Sequence, residues 1–348
     1  MHEYANLLRK MIAIPSVSGD EAGATSLIRS FLSDREVPYN ILHNNTWAVN
    51  LHFDALKPNL LFNSHVDTVK PVPAWSCDPF GAVLEGDRIT GLGSNDAGGP
   101  LVTLLAVFMH LYARTDLPYN LIFAATAEEE TSGPKGFSSI VPELPEIALA
   151  IVGEPTRMEL AVAEKGLLVL DCVARGVSGH AAREEGVNAI HRAIDDITAL
   201  RQLTFDKVSP VLGPVKLTVT QIEAGTQHNV VPDSCRFVVD VRTNEYYSNE
   251  AVFSMISAAV NAEVTPRSLR LNSSGLPENH PLVDRAKLMG VSCYGSPTTS
   301  DQAVMPWPSV KIGPGDSARS HTADEYIYIS EMTNGFELYL NLIDQLKI

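Results

Sequence analysis

The sequence is sparing with charge and with aromatic rings: charged residues make up 19% of its 348 positions and aromatic residues 7%. Basic residues are the scarcer charges, 26 Lys and Arg against 41 Asp and Glu, which leaves a formal charge of −15. That balance disfavours nucleic acid and anionic membrane surfaces as partners and suits cationic or zwitterionic small molecules. Cysteine is rare too. Cys77, Cys172, Cys235 and Cys293 form no C-x-x-C pair, so they read as small buried residues in a reducing compartment. Long apolar runs are missing. The longest, Leu101 to Met109, is too short to span a bilayer. The first residues lack the basic-then-apolar pattern of a signal peptide, and the expected location is cytoplasmic. Repeats, low-complexity segments, a P-loop, a G-x-S-x-G elbow and a cysteine-nucleophile signature are all lacking. Gly91-Leu92-Gly93-Ser94-Asn95-Asp96 begins like a dinucleotide loop, but Asp96 stands where the third glycine belongs and would repel a pyrophosphate.

What is present is a 45% hydrophobic composition, enough to build a core for two domains of ordinary size. Apolar runs repeatedly stop at residues that ligate metals. Leu60 to Asn63 leads into His65 and Asp67; Leu121 to Thr126 leads into Glu128, Glu129 and Glu130. Ala148 to Val152 leads into Glu154, and Ser309 to Ile312 leads through Gly313-Pro314-Gly315 to His321. Asp96 lies in the glycine-rich loop before a helix expected near Pro100 to Arg114. Buried strands with polar C-terminal ends place chemistry where open α/β sheets bind ligands. Taken singly, Glu128 to Glu130 could be a solvated helix start and His321 a loop histidine. Together, two histidines and at least three carboxylates at one sheet edge are a donor set for two zinc-like ions.

The middle of the chain has a different rhythm. Gly166 to Arg175, Val215 to Glu223 and Ser234 to Arg242 alternate with period two. Helical stretches fall near Asn188 to Leu203 and Glu250 to Ala262, and a strand is expected at Ser268 to Leu271. That β-α-β-β-α-β order matches a ferredoxin-like sandwich. The expected organisation is therefore an α/β domain over residues 1–164 and 271–348. A smaller α+β domain is inserted at 165–270.

These motifs resemble the acetylornithine deacetylase / succinyl-diaminopimelate desuccinylase family of dimetal aminoacylases and peptidases. The resemblance spans the chain: SHVDTV at 64–69, GLGSNDAGG at 91–99, AEEETSG at 127–133, GEPT at 153–156, GVSGHAA at 176–182, HNVVPD at 228–233, DVR at 240–242, GPG at 313–315 and SHTADEYI at 320–327. It implies His65 and Glu154 at one metal, Glu130 and His321 at the other, and Asp96 between them. Asp67 would orient His65, and Glu129 would be the general base for the attacking water. The α/β domain would be the catalytic one, with a mixed central sheet, and the inserted domain a lid and dimerisation domain, with His180 reaching the partner subunit's site to stabilise the oxyanion. Asn229 and Arg242 would hold substrate polar groups, and Gly313 and Gly315 would let backbone approach the substrate. The resemblance also implies a cis Asn95–Asp96 peptide. Two zinc ions per subunit are expected, with cobalt or manganese as alternatives.

The chain departs from the family where D-M-K-G-G is common, having Asp96-Ala97-Gly98-Gly99, and where Glu128 replaces a common Asp. In the family, Glu at the position of Glu154 accompanies deacylases and carboxypeptidases rather than aminopeptidases. GEPT and AEEETS are most like acetylornithine deacetylases, so the expected reaction is N-acetylornithine deacetylation in arginine biosynthesis. The alternatives are N-acetylcitrulline, N-succinylornithine or succinyl-diaminopimelate as substrate, a related metallo-carboxypeptidase, or a metal-binding module without catalysis. Asp301 reads equally as a substrate-facing residue or as a helix cap.

Overall fold

The computed structural model describes residues 1–183, 185–277 and 279–348. The chain divides into two compact units: Met1–Val162 with Gly275–Tyr294 and Ser300–Ile348, and Ala163–Ser274 with Gly295–Thr299.

The first unit is built on a mixed sheet. Its parallel heart is formed by Asn59–His65, Asn120–Thr126, Leu149–Val152 and Ser309–Lys311. Antiparallel strands flank it, Asn45–Val49 and Tyr39–Leu42 on one side and Leu160–Glu164 on the other. Every residue of Asn59–His65 and of Asn120–Thr126 is buried. That is expected of parallel strands covered on both faces, and the two faces feed separate cores. Leu60, Phe62, Leu121 and Phe123 point to the side occupied by Leu8, Phe108 and Tyr339 from the helices His2–Ile12, Gly99–Leu111 and Ile329–Ile343. Leu61, Ile122 and Ala150 point the other way, against Trp47, Phe137 and Ile140. With both faces filled, the free polar ground is the C-terminal ends of the strands.

Small differences from the sequence reading have local causes. The second helix is Ala22–Ser33. The Ser18 hydroxyl is engaged with Asp67, and Gly19 turns the chain at φ +92. The helix at Gly99–Leu111 follows Ser94–Gly98, whose wide turn is broken by non-helical backbone at Asp96 and Ala97. The cis peptide is Asp96–Ala97, one bond later than expected.

The second unit carries an antiparallel sheet in the order Lys216–Ala224, Ser234–Thr243, Gly166–Arg175, Glu263–Pro266. Leu168, Leu170, Cys172 and Ala174 alternate inward, where they meet Ala189, Ala193, Val252 and Ile256 of the helices Ala189–Gln202 and Asn249–Ala259. Asn188 and Ser248 cap those helices by accepting from the Ile190 and Ala251 N–H groups. The last strand is Glu263–Pro266, not 268–271. The ladder beside Gly166–Arg175 is filled by Glu263–Pro266, and Leu271 buries its side chain from a loop while its carbonyl accepts from Leu167 N–H at 2.9 Å. All four cysteines are free thiols. Among the described residues no helix is long and apolar enough to cross a membrane.

Candidate metal centre

Four sheet strands deliver their ends to one place in the first unit. His65 is the last residue of its strand and only 1% exposed. Its Nδ1 lies 2.9 Å from the Asp67 carbonyl oxygen and 3.4 Å from Asp67 Oδ1. A proton on Nδ1 would leave the Nε2 lone pair to a cation, when one is present. Nε2 faces Asp96 Oδ1 at 3.3 Å, and Glu129 Oε2 and Glu154 Oε1 at 3.9 Å each. Asp96 presents its other oxygen to His321, with Oδ2 3.6 Å from His321 Nε2. That nitrogen lies 3.0 Å from Glu130 Oε2. Asp96 therefore stands between two pairs, one oxygen toward each.

The loops are shaped for this. Glu128 has φ +56, which turns the chain sharply after the Thr126 strand. Its carboxylate folds back onto Lys135 N–H at 2.9 Å, leaving Glu129 and Glu130 to face the cluster. Their N–H groups donate to Asp67 Oδ1 and Oδ2, each at 3.1 Å. Asp67 also accepts from Ser18 Oγ at 2.6 Å. One buried carboxylate thus positions His65, Glu129 and Glu130 together. On the far side, Ser64 Oγ donates to the Gly153 carbonyl at 2.8 Å and ties the Glu154 segment to the His65 strand.

Electrostatics follow from burial. Removal from water pushes Glu154 up to about 8, helped by Asp96. Burial likewise raises Glu129 well above the ordinary carboxylate range. Burial opposes ionisation of Asp67 and Asp96, but their hydrogen bonds with His65 hold both below that range. Burial opposes protonation of His65, and the same partners hold it well above its usual value. Glu130 lifts His321 to about 9. Without a cation, such a site must keep protons on groups that would otherwise ionise.

The donor set fits metal ions. One ligand atom each from His65, Asp96 and Glu130 lies within 4.8 Å of the other two. Glu154 Oε1 is a buried acceptor with no hydrogen-bond partner. An orphaned buried carboxylate oxygen 3.9 Å from a histidine nitrogen fits a cation site.

Other expected site residues sit elsewhere or serve other contacts. Gly313 packs against the Glu154 backbone, where an added Cβ would meet its carbonyl oxygen at 2.5 Å. Gly315, at φ +91, packs against the Asn95 side chain. In the second unit, His180 lies on a two-residue strand paired with Val230–Val231, and its Nδ1 accepts from Ala182 N–H at 3.1 Å. Asn229 is exposed, and its carbonyl accepts from Ala181 N–H at 3.0 Å. Arg242 spends Nε and Nη2 on Asp240 of its own strand, at 2.9 and 3.1 Å. Asp301 is neither a cap nor exposed. Ser300 caps that 3-10 turn, and the buried Asp301 carboxylate accepts from Thr126 Oγ1 at 3.0 Å. Burial raises it to about 7. Ser18 and Glu325 escaped the sequence reading as site residues, and Asp301 was read only as substrate-facing or as a helix cap, because partners distant in the chain define what each does. A groove of about 660 Å³ on the second unit's sheet shares no lining residue with this cluster, and its Arg267 is matched to Asp171 at 2.8 Å.

A metal-ligand set at the strand ends of a mixed α/β sheet, together with the family match, makes the class metal-dependent hydrolase. The chain belongs to peptidase family M20/M25/M40, whose family model matches residues 61–345. Among curated relatives it is similar to a succinyl-diaminopimelate desuccinylase of Dinoroseobacter shibae, with 30% identity over 76% of this chain and 74% of the relative. Among solved structures it is similar to aminopeptidase PepT from Bacillus cereus, with a TM-score of 0.79 and 18% identity over 99% of this chain and 98% of that one. The Bacillus subtilis YXEP protein, described as a dinuclear metal binding peptidase, aligns with a TM-score of 0.72 and 16% identity over 98% and 97%.

Proposed function

We propose that this protein is a dimetal amidohydrolase that removes the acyl group from the α-nitrogen of an amino acid. The observation that carries the reading is Asp96 set between His65 and His321 with one oxygen toward each. His65 and Glu154 would hold one ion, Glu130 and His321 the other, and Asp96 both. When bound, two such ions supply Lewis acidity to the scissile carbonyl and lower the pKa of water. Zinc is the expected metal, with cobalt or manganese as alternatives.

The chain's own groups supply the rest. Glu129 Oε2 takes the proton of the attacking water and returns it to the leaving amine. It suits that task because burial has already raised its proton affinity. The Asp67 carboxylate keeps the Glu129 backbone and the His65 ring in place during the transfer. Asn229 and Arg242 would orient the substrate, and Arg242 must then give up or share its Asp240 contact. His180 would stabilise the oxyanion in a partner subunit of a homodimer. Mixing inactive His180→Ala and Glu129→Ala subunits is expected to restore activity; exchange proven without recovery would remove that role.

For the substrate, GEPT and AEEETS support N-acetylornithine, in arginine biosynthesis. A second reading, succinyl-diaminopimelate desuccinylation, is favoured by the name of the curated relative at 30% identity. N-acetylcitrulline and N-succinylornithine differ from these only in groups that the binding pocket reads. The test is amine release by the zinc-loaded protein from all four compounds and a glutamyl-terminated peptide. Preference for an acylated ornithine or citrulline supports the first reading, and preference for succinyl-diaminopimelate the second. Turnover of the peptide alone would make the protein a carboxypeptidase, and turnover of none would leave a metal-binding module.

A further inference from the structure

Glu325 is 2% exposed and lies four residues beyond His321, yet its carboxylate is spent on the segment that carries Asp96. Oε1 accepts from the N–H groups of Asn95 at 2.8 Å and of Asp96 at 2.9 Å. Oε2 accepts from Gly93 N–H at 3.1 Å, and the Glu325 carbonyl accepts from Gly91 N–H at 2.9 Å. Gly93 has φ +75, which lets successive amides of this segment converge on one carboxylate. The reverse contact also exists. Asn95 reaches into the His321 segment, with Nδ2 donating to the Asp316 carbonyl at 3.1 Å and to Ser320 Oγ at 3.4 Å. Its Oδ1 accepts from Asp316 N–H at 2.9 Å. Each segment thus holds the other's backbone through a buried side chain.

We propose that Glu325, with Asn95 as its counterpart, is a positioning residue that sets the spacing between Asp96 and His321 and so completes the second metal position. This rests on the dimetal reading above. Asp96 is anchored through its own backbone N–H to Glu325. Among the described residues no such backbone anchor holds His321, whose side chain meets Glu130 but is 55% exposed and whose backbone sits at φ +59. Of the groups assigned to the two ions, Glu130 is held separately by Asp67, and His65 ends a sheet strand. The Asp96–His321 distance is therefore the one that the clamp between the two segments governs.

The test is a titration of metal-free protein with Co²⁺, followed by calorimetry and by the visible absorption of the bound ion, for wild type, Glu325→Gln and Asn95→Ala. Glu325→Gln keeps an oxygen for two amides but presents an NH₂ group to the third donor. Asn95→Ala removes the reciprocal half without touching the carboxylate. Both variants are expected to bind the first ion as wild type does and the second about 10- to 100-fold more weakly, the range typical of groups that orient metal ligands. The kcat lost at limiting metal is expected to return when the metal is raised, which a general loss of structure would not allow. If wild type binds two ions and both variants bind two with unchanged affinity and spectra, the inference is overturned while the dimetal reading stands. If wild type itself binds no pair of ions, both fall. Should Glu325→Gln fail to fold, Asn95→Ala decides the matter alone.

Discussion

At the scale of single residues, the site separates groups that hold from the group proposed to react. Asp67 accepts from Ser18 and from the Glu129 and Glu130 amides, so it is an anchor with no capacity left for substrate. Glu129 points its Oε2 into the cluster with only its backbone tied, as a proton carrier needs. Glu129→Gln is expected to lower kcat by about 10²–10⁴-fold, the usual contribution of a general base. Metal content measured by atomic spectrometry should stay at the wild-type level. Near-normal turnover in that variant would end the assignment. A parallel loss of metal would make Glu129 a ligand instead.

At the scale of elements, the strands bring the ligands and the loops set their angle. Gly315 illustrates the second part. Its φ of +91 and its contact with Asn95 leave no room for a Cβ. Gly315→Ala should therefore destabilise the fold by about 1–3 kcal/mol, as for other residues held in sparsely populated backbone regions. The expected reading is a lower urea midpoint with an unchanged slope, and an unchanged midpoint would show that the turn relaxes freely. Gly313 borders the Glu154 backbone and Gly315 the Asn95 side chain, which places both glycines beside residues of the cluster.

At the scale of the whole molecule, the buried acids make stability depend on pH and on metal. In the metal-free protein Glu154 is raised to about 8, and Asp301 and Glu325 to about 7, all by burial, while His321 is raised to about 9 by Glu130. His65 and Glu129 are raised as well. Each of these groups binds its proton more tightly folded than unfolded. Their stabilisation is complete at low pH and is lost as pH rises through the folded values. Asp67 and Asp96, held low, act in the opposite sense but only in the acid range below the ordinary carboxylate value. The chelated protein should therefore melt at progressively lower temperature from about pH 5.5 to pH 8.5. Added zinc should restore most at the alkaline end, because ligands must shed protons to bind it. A chelated protein that gains stability over that range, with no response to zinc, would contradict the reading of the cluster.

Much was legible in the residues alone. Short apolar runs such as Leu60 to Phe62 read as strands covered on both sides, and the four read that way were each followed by a residue able to bind a metal. Period-two alternation marked the second unit's sheet because one face of it is solvated. These features are local, so the sequence carries them openly. Three-dimensional placement decided the rest. A strand at Glu263–Pro266 rather than 268–271 depended on which segment pairs with Gly166–Arg175. Asp301 faces Thr126, and Glu325 receives the amides of Gly93, Asn95 and Asp96, across more than 170 positions of chain. No periodicity records such contacts, because a carboxylate in the sequence looks the same whether it will meet water, a metal or a row of backbone N–H groups. The sequence determined which residues could ligate a metal; folding determined that Asp96 would stand between two histidines, because only the packed sheet brings four strand ends and two distant loops within hydrogen-bond reach.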